Sequence, residues 1–479
     1  MRFRRLAVLV VAVFAIGLLA GAGAAEAQAL GLTTGFFGDP VLTTDNAATR
    51  AVWIPRAVAE GAGMVRVNVF WSQVAPATRP AGFVAANSSS PGYNWTQIDS
   101  EVRDLSSHGL RVLITIENAP AWAEAPGRPA SATPGSWRPS AAQFESFAQA
   151  AALRYDGHFP DPLQPGAFLP RVRDWQAWNE PNLSLYLAPQ WTSTGGRLAP
   201  ASPGIYAQLL NAFYAAVKSV SPSNFVISAG TAPYGDPPGG QRMAPVAFDR
   251  TLFCLKDNAS LTPVSCADPP HLDAIDHHPY GIGGPLWHAF NADDVAVPDI
   301  YKLARVLHAA ERDGTVLPRG SKQIWTTEIS WDSSPPDPNG VPIVELAHWL
   351  EQSLFVLWGQ GVDTVLWYQL VDAPPIPNYA STYQAGLYYL NGSAKPSAQA
   401  FRFPFVTKRL NRRQVEAWGR APTPGKLAIE VLRGGRWKVV RRLSVRADQV
   451  FLPTLAIRGA HVFRAQLGAQ TSLIWNQGA

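Results

Sequence analysis

Cysteine is almost missing from this chain: 2 residues in 479. That excludes a disulfide-stapled miniprotein and a four-thiolate zinc site. Charged residues are also sparse, at 16%, while hydrophobic residues reach 47%, which excludes a disordered chain. Past residue 29 no apolar run approaches the roughly 20 residues that cross a bilayer, so no membrane span is expected there. There is no G-x-S-x-G elbow for a serine nucleophile and no H-E-x-x-H pair for zinc. No internal repeat is visible. The chain is rich in tryptophan: 17 residues, beside 21 Phe and 13 Tyr. Flat aromatic rings suit sugar faces, and they equally suit a large core; composition leaves both readings open.

The first 29 residues read as a secretory signal peptide. Arg2, Arg4 and Arg5 open it, an apolar run from Leu6 to Leu19 follows, and Ala25-Glu26-Ala27 and Ala27-Gln28-Ala29 offer cleavage sites. The run is short for an uncleaved anchor, the other reading. A secreted, extracellular protein is therefore expected. In an oxidising compartment Cys254 and Cys266 are expected to pair, two buried free thiols being the alternative.

Charge divides the chain. Residues 401–479 carry 15 Lys and Arg against 3 Asp and Glu, whereas residues 30–400 carry 22 against 31. The overall pI of about 9.2 thus hides an acidic body and a basic tail, and no nucleic-acid partner is expected from it.

The body alternates apolar extended runs with amphipathic helices, the signature of a parallel α/β architecture. Eight strand candidates end near Phe36, Asn68, Glu117, Asn179, Gly230, His278, Glu328 and Trp367. Each is nearly continuously apolar, as expected for strands covered on both faces. Between them, Ser140-x-x-Gln143 is a capping box, and Tyr206–Val220, Pro298–Ala310 and Leu346–Trp358 show helical spacing. The expected fold class is α/β: a (β/α)8 TIM barrel over residues 30–410, followed by a small all-β sandwich over residues 411–479. A doubly wound open sheet is the other candidate. It would favour a Gly-rich phosphate loop after the first strand, and Thr33-Thr34-Gly35-Phe36-Phe37-Gly38 is not one. The long Pro- and Gly-rich stretches all follow strands, which in a barrel places them on the one face where active sites are built.

Two glutamates end apolar strands. Glu180 stands in Trp178-Asn179-Glu180-Pro181-Asn182, and Glu328 ends Ile324-Trp325-Thr326-Thr327-Glu328. Carboxyls projected into one barrel mouth can flank a bond and divide acid and nucleophile roles. Asp276-x-His278 lacks the partner that a metal site requires, so neither a metal nor another cofactor is expected.

The W-N-E-P-N ending of the fourth strand, the Glu of the seventh and His278-Pro279-Tyr280 of the sixth resemble clan A retaining glycoside hydrolases, most nearly family 39, with family 5 next. The resemblance spans roughly residues 30–405. It implies a secreted retaining β-glycosidase that cleaves O-glycosidic bonds of an oligo- or polysaccharide by double displacement. Glu180 would be the acid/base and Glu328 the nucleophile. Asn179 would hold the sugar 2-hydroxyl, Arg66 would keep Glu328 ionised, Tyr280 would donate to Glu328, and His278 would lie near Glu180. Trp367 would floor the reacting subsite and Trp122 would form a further stacking wall. His277 has no counterpart and is expected to pack at the barrel wall. Trp71, Trp325 and Trp331 divide evenly between subsite and core. A transglycosylase and a catalytically silent sugar-binding barrel remain open alternatives.

In the tail, alternating Leu427, Ile429 and Val431, then Gly434-Gly435, then Trp437 and Val439 read as a hairpin. Its excess Arg suggests docking on an anionic wall polymer; a solvated basic face on a stabilising appendage is the plainer alternative.

Overall fold

The computed structural model describes residues 31–38 and 40–478; the expected signal peptide lies outside them. Two compact units are present, one spanning Thr33–Arg402 and the other containing Phe403–Ala479.

In the first unit eight parallel strands close into a barrel in sequential order. They are β1 (Thr33–Phe36), β2 (Met64–Phe70), β3 (Arg111–Glu117), β4 (Asp174–Ala177), β5 (Phe225–Thr231), β6 (Ala274–His277), β7 (Gln323–Ile329) and β8 (Val362–Trp367). The ring closes where β8 pairs β1, with Phe36 opposite Trp367. On the other side of β1, Gly35 allows the close pairing with β2: a Cβ there would fall 1.9 Å from the Met64 carbonyl oxygen. Met64, Leu113, Ile227, Ala274, Trp325 and Leu366 fill the barrel interior. Trp325 is therefore core, and Trp71 is too, fully buried and stacked on Phe147.

A main helix follows each strand: α1 (Ala47–Ala59), α2 (Thr96–Ser107), α3 (Ala141–Arg154), α4 (Ser202–Val220), α5 (Pro245–Leu252), α6 (Ile300–Asp313), α7 (Ile343–Gly359) and α8 (Pro396–Arg402), with a single extra turn at Trp71–Val74 after β2. Their starts and stops follow local chemistry. Asn46 caps α1 by accepting from the Thr49 N–H, and Gly314 ends α6 in the left-handed region. At α3 only half of the expected box forms. Ser140 accepts from the Gln143 N–H at 3.4 Å, but its own N–H goes to the Ala123 carbonyl. Among the described residues no helix is long and apolar enough to cross a membrane.

Cys254, just after α5, is bonded to Cys266, closing the segment that leads to β6.

The second unit is all β, in two antiparallel sheets over one apolar core that includes Val415, Ile429, Val431, Phe451 and Phe463. Its main strands are β9 (Phe405–Asn411), β10 (Gln414–Arg420), β11 (Gly425–Arg433), β12 (Arg436–Val445) and β13 (His461–Leu467). The β11–β12 hairpin turns on Gly434 and Gly435, both at positive φ, as the two-residue turn requires. The expected boundary at residue 411 falls too late. β9 pairs along its length with β10, so the second unit begins at Phe403.

Candidate active site

Side chains alternate along a strand, so Arg66 and Asn68 on β2 share one face. The same alternation puts Thr115 and Glu117 of β3 together. At the C-terminal ends of the strands these residues open into a cavity of about 590 Å³. Arg66, Asn179, Tyr280 and Glu328 line it together with Asn68, Glu117, Tyr186, Tyr368 and Tyr383.

Arg66 is the centre of the network, and its side chain is fully buried. It donates to Thr115 Oγ1 at 2.8 Å, to Glu328 Oε1 at 2.8 Å, to Thr327 Oγ1 at 3.1 Å and to Asn179 Oδ1 at 2.7 Å. With Oδ1 committed, Asn179 has its Nδ2 donors left to offer a ligand. The Tyr280 hydroxyl donates to Glu328 Oε2 at 3.1 Å, so both oxygens of that carboxylate are held. Four of the expected placements are thus present: Arg66 and Tyr280 on Glu328, Asn179 beside them, and His278 on Glu180.

His278 Nδ1 lies 2.9 Å from Glu180 Oε1 and 3.5 Å from Glu328 Oε1, and its Nε2 lies 3.3 Å from Asp276 Oδ2. Burial opposes charge on this imidazole. The Glu328 charge and the hydrogen bonds to Asp276 and Glu180 overcome it and raise its pKa to about 10. Asp276 is buried as well, which by itself favours its neutral form. The hydrogen bond and charge of His278 outweigh that and lower its pKa. Asp276 Oδ2 also accepts from Gln176 Nε2 at 2.6 Å and from the Thr327 hydroxyl at 2.5 Å.

Glu328 departs from expectation. Burial raises its pKa above the ordinary carboxylate value, and His278 and Arg66 only partly pull it back. The low pKa expected from an adjacent cation is outweighed by desolvation. His277 packs at the barrel wall as expected. Its Nδ1 is 2.8 Å from Thr231 Oγ1 and its Nε2 is 3.0 Å from the Val295 carbonyl, and burial lowers its pKa to about 4.

Ligand atoms of Glu180, His278 and Glu328 all lie within 4.8 Å of one another, a spacing that a metal ion could bridge. A charged imidazole has no lone pair to give, however, and Arg66 already occupies Glu328. The donor set fits proton transfer better than metal ligation.

Four expected residues are not in the cavity lining: Glu180 and His278, which sit behind Glu328 in the network, and Trp367 and Trp122. Trp367 is buried at 1% exposure, with its indole N–H donating to the Ala385 carbonyl at 2.8 Å. The ring that lines the cavity is the next residue, Tyr368. A shift of one position at a strand end turns the side chain to the opposite face. Trp122 lies in an aromatic cluster, edge-on to Trp71 and Phe83, and its N–H is held by the Pro76 carbonyl. Trp331 is nearly buried and donates to Gly281 and Gly283 carbonyls.

The sequence reading gave Glu117 and Asn68 no role and weighed Asp276 only as a metal ligand. Glu117 carried the same signal as Glu328, a carboxylate ending an apolar strand. Burial pushes its pKa up to about 7, with Arg66 opposing and Glu328 and Glu180 adding. Its Oε1 accepts from Asn68 Nδ2 at 3.0 Å. Asp276 stood out as a charge inside an apolar strand.

No protein-family model matches this chain, and no curated protein matches it. Among solved structures, the chain is similar to a family 39 glycoside hydrolase from the gut symbiont Bacteroides cellulosilyticus. Identity is 18% over 90% of this chain and 82% of that one, with a TM-score of 0.55. It is also similar to a glucosidase from Croceicoccus marinus, at 14% identity over 90% of this chain and 94% of that one, with a TM-score of 0.49. The first likeness shows the fold alone: this chain has the closed eight-stranded parallel α/β barrel.

Proposed function

We propose that the protein is an exported retaining β-glycosidase acting on a saccharide through a glycosyl-enzyme intermediate. The observation that carries this reading is the Glu180–Glu328 pair, whose nearest oxygens lie within 4.8 Å, with Glu328 lining the cavity. Retaining pairs stand roughly 5–5.5 Å apart, whereas inverting pairs need room for a water.

In the first step a Glu328 oxygen attacks the anomeric carbon as the bond to the leaving oxygen breaks. Glu180 gives that oxygen its proton. His278 donates to Glu180 Oε1, which leaves Oε2 to carry the transferable proton. Asn179, oriented by Arg66, donates to the 2-hydroxyl, and that contact strengthens as positive charge develops on the ring. In the second step Glu180 removes a proton from water, which attacks the anomeric carbon and releases Glu328. Export is supported by the basic and apolar first 29 residues and by the Cys254–Cys266 bond, which suits an oxidising compartment. The basic second unit is proposed to dock on an anionic wall polymer. Its β12 carries Arg436, Lys438, Arg441 and Arg442 at exposed positions.

A panel of aryl β-glycosides, with proton NMR of the first product anomer, tests the reading. Retention is expected. Glu328→Ala is expected to lose turnover and to regain it with azide, giving the inverted glycosyl azide. Near-native activity in Glu328→Ala, or an inverted first product from the native enzyme, defeats the proposal.

A further inference from the structure

We infer that Glu117 and Asn68 form a clamp for the bound sugar ring, and that this ring is uncharged: a neutral glycone with adjacent hydroxyls, not a uronic acid. The inference rests on the glycosidase reading and narrows its substrate class.

The first observation is an orphan. Asn68 Nδ2 is spent on Glu117, and Asn68 Oδ1 is buried with no hydrogen-bond partner among the described residues. A buried acceptor left unpaired is destabilising, so a site that keeps one is built to receive a donor. Glu117, 3% exposed, sits beside it and also lines the cavity. Above the pKa of about 7 to which burial pushes it, the Glu117 carboxylate only accepts. Two neighbouring acceptors match two donors on neighbouring atoms, which is what a vicinal diol presents.

The second observation is charge. Among the described residues, Arg66 is the one basic side chain lining the cavity, and its guanidinium is already bonded to Glu328, Asn179, Thr115 and Thr327. Glu117 and Glu328 line the same cavity, and Glu180 lies within 4.8 Å of Glu328 at its nearest oxygen. A sugar carboxylate would lose its hydration, face these carboxyls and find no free cation. Gln73, Asn94 and Gln97 continue the lining with uncharged amides, which suit hydroxyls. The same excess of negative charge favours the positive charge that develops on the ring during bond cleavage, so it costs a neutral glycone nothing.

Calorimetric titration tests this with methyl β-glycosides of xylose, glucose, galactose and mannose against those of glucuronic and galacturonic acid. At least one neutral sugar is expected to bind at least tenfold more tightly than any uronic acid. Glu117→Gln and Asn68→Ala are each expected to weaken that sugar about tenfold, the scale of one lost hydrogen bond. Both variants are expected to bind the deoxy analogue lacking the clamped hydroxyl as the native protein does. Circular dichroism and melting confirm that the variants fold. Tighter binding of a uronic acid, binding of none of the sugars, or a neutral sugar indifferent to both substitutions in folded protein overturns the inference. A neutral sugar that binds through the clamp and is never hydrolysed as its aryl glycoside removes the glycosidase reading and leaves the clamp standing.

Discussion

Replacing Arg66 by Met keeps most of the aliphatic volume and removes the cation. Four hydrogen bonds disappear, to Thr115, Thr327, Glu328 and Asn179. The Arg66 side chain has no exposure and that of Glu328 has 10%, so water cannot replace the lost partner easily. Breaking a buried pair from one side costs about 3–5 kcal/mol, because the remaining charge stays buried. The loss depends on pH, and its sign follows from Glu328. Its folded pKa already stands above the ordinary value through burial, so its ionisation costs stability as pH rises through the raised value. Arg66 moderates that cost, and without it the pKa rises further. The destabilisation of Arg66→Met is therefore expected to be larger at pH 8 than at pH 5, because protonation of the carboxyl at lower pH lessens its need for the cation. Urea denaturation followed by tryptophan fluorescence at both pH values measures this. The acidic limb of kcat/KM, which reports an ionised nucleophile in the free enzyme, is expected to move to higher pH. A destabilisation under about 1 kcal/mol at pH 8, with an unmoved acidic limb, refutes the placement of Arg66 as the partner of Glu328.

Two further outcomes follow from the geometry. A Cβ at Gly230 would fall 2.0 Å from His278 Nε2 and 2.6 Å from Asp276 Oδ2. Gly230→Ala is thus expected to cost about 1–3 kcal/mol and to lower kcat more than it raises KM, read from melting and steady-state kinetics. Cys254→Ser with Cys266→Ser opens a loop of 12 residues' separation and is expected to cost about 3 kcal/mol. Turnover should stay within about twofold of native, because His278 is held by the Thr231 carbonyl, Glu180 and Asp276 rather than by that loop.

All eight barrel strands were legible because each is covered on both faces and so reads as a nearly continuous apolar run. Glu180 and Glu328 were legible because a carboxylate ending an apolar barrel strand projects into the barrel mouth; Arg66, Asn179, His278 and Tyr280 were legible only through the resemblance to a glycoside hydrolase family. What escaped was decided by tertiary detail. Whether Trp367 or Tyr368 faces the cavity depends on one residue of register where the strand stops. Trp122 is aromatic beside a strand end, yet Phe83 and Trp71 claim its faces. The domain boundary was misplaced because Lys408, Arg409 and Asn411 make β9 resemble a polar linker, while the pairing that defines it lies with β10. The balance of forces on Glu328 was beyond reach as well. A sequence names the neighbouring cation but not the depth of burial that outweighs it.

Burial also explains how the Trp178–Asn182 segment can hold a conformation that an isolated loop would not keep. Trp178 and Glu180 both have positive φ, +76° and +35°, a region costly to side chains with a Cβ. Pro181 adds to the conflict, since a residue before proline favours extended backbone. Each such residue costs on the order of 1–3 kcal/mol and persists only when its surroundings over-determine it. Here they do. The Trp178 N–H donates to the Ile116 carbonyl on β3, and its indole N–H donates to the Tyr186 carbonyl, both at 2.9 Å. The Glu180 N–H donates to the Gly230 carbonyl on β5 at 3.1 Å. The Asn182 side chain ties the far end to the Ala232 and Met243 carbonyls and accepts from the Ala232 N–H. The segment is thus pinned to the strands on either side of β4. Trp and Asn at its ends anchor it, and Glu180 between them is aimed at Glu328 by its neighbours. That division of labour is why a five-residue pattern carries so much information about the site.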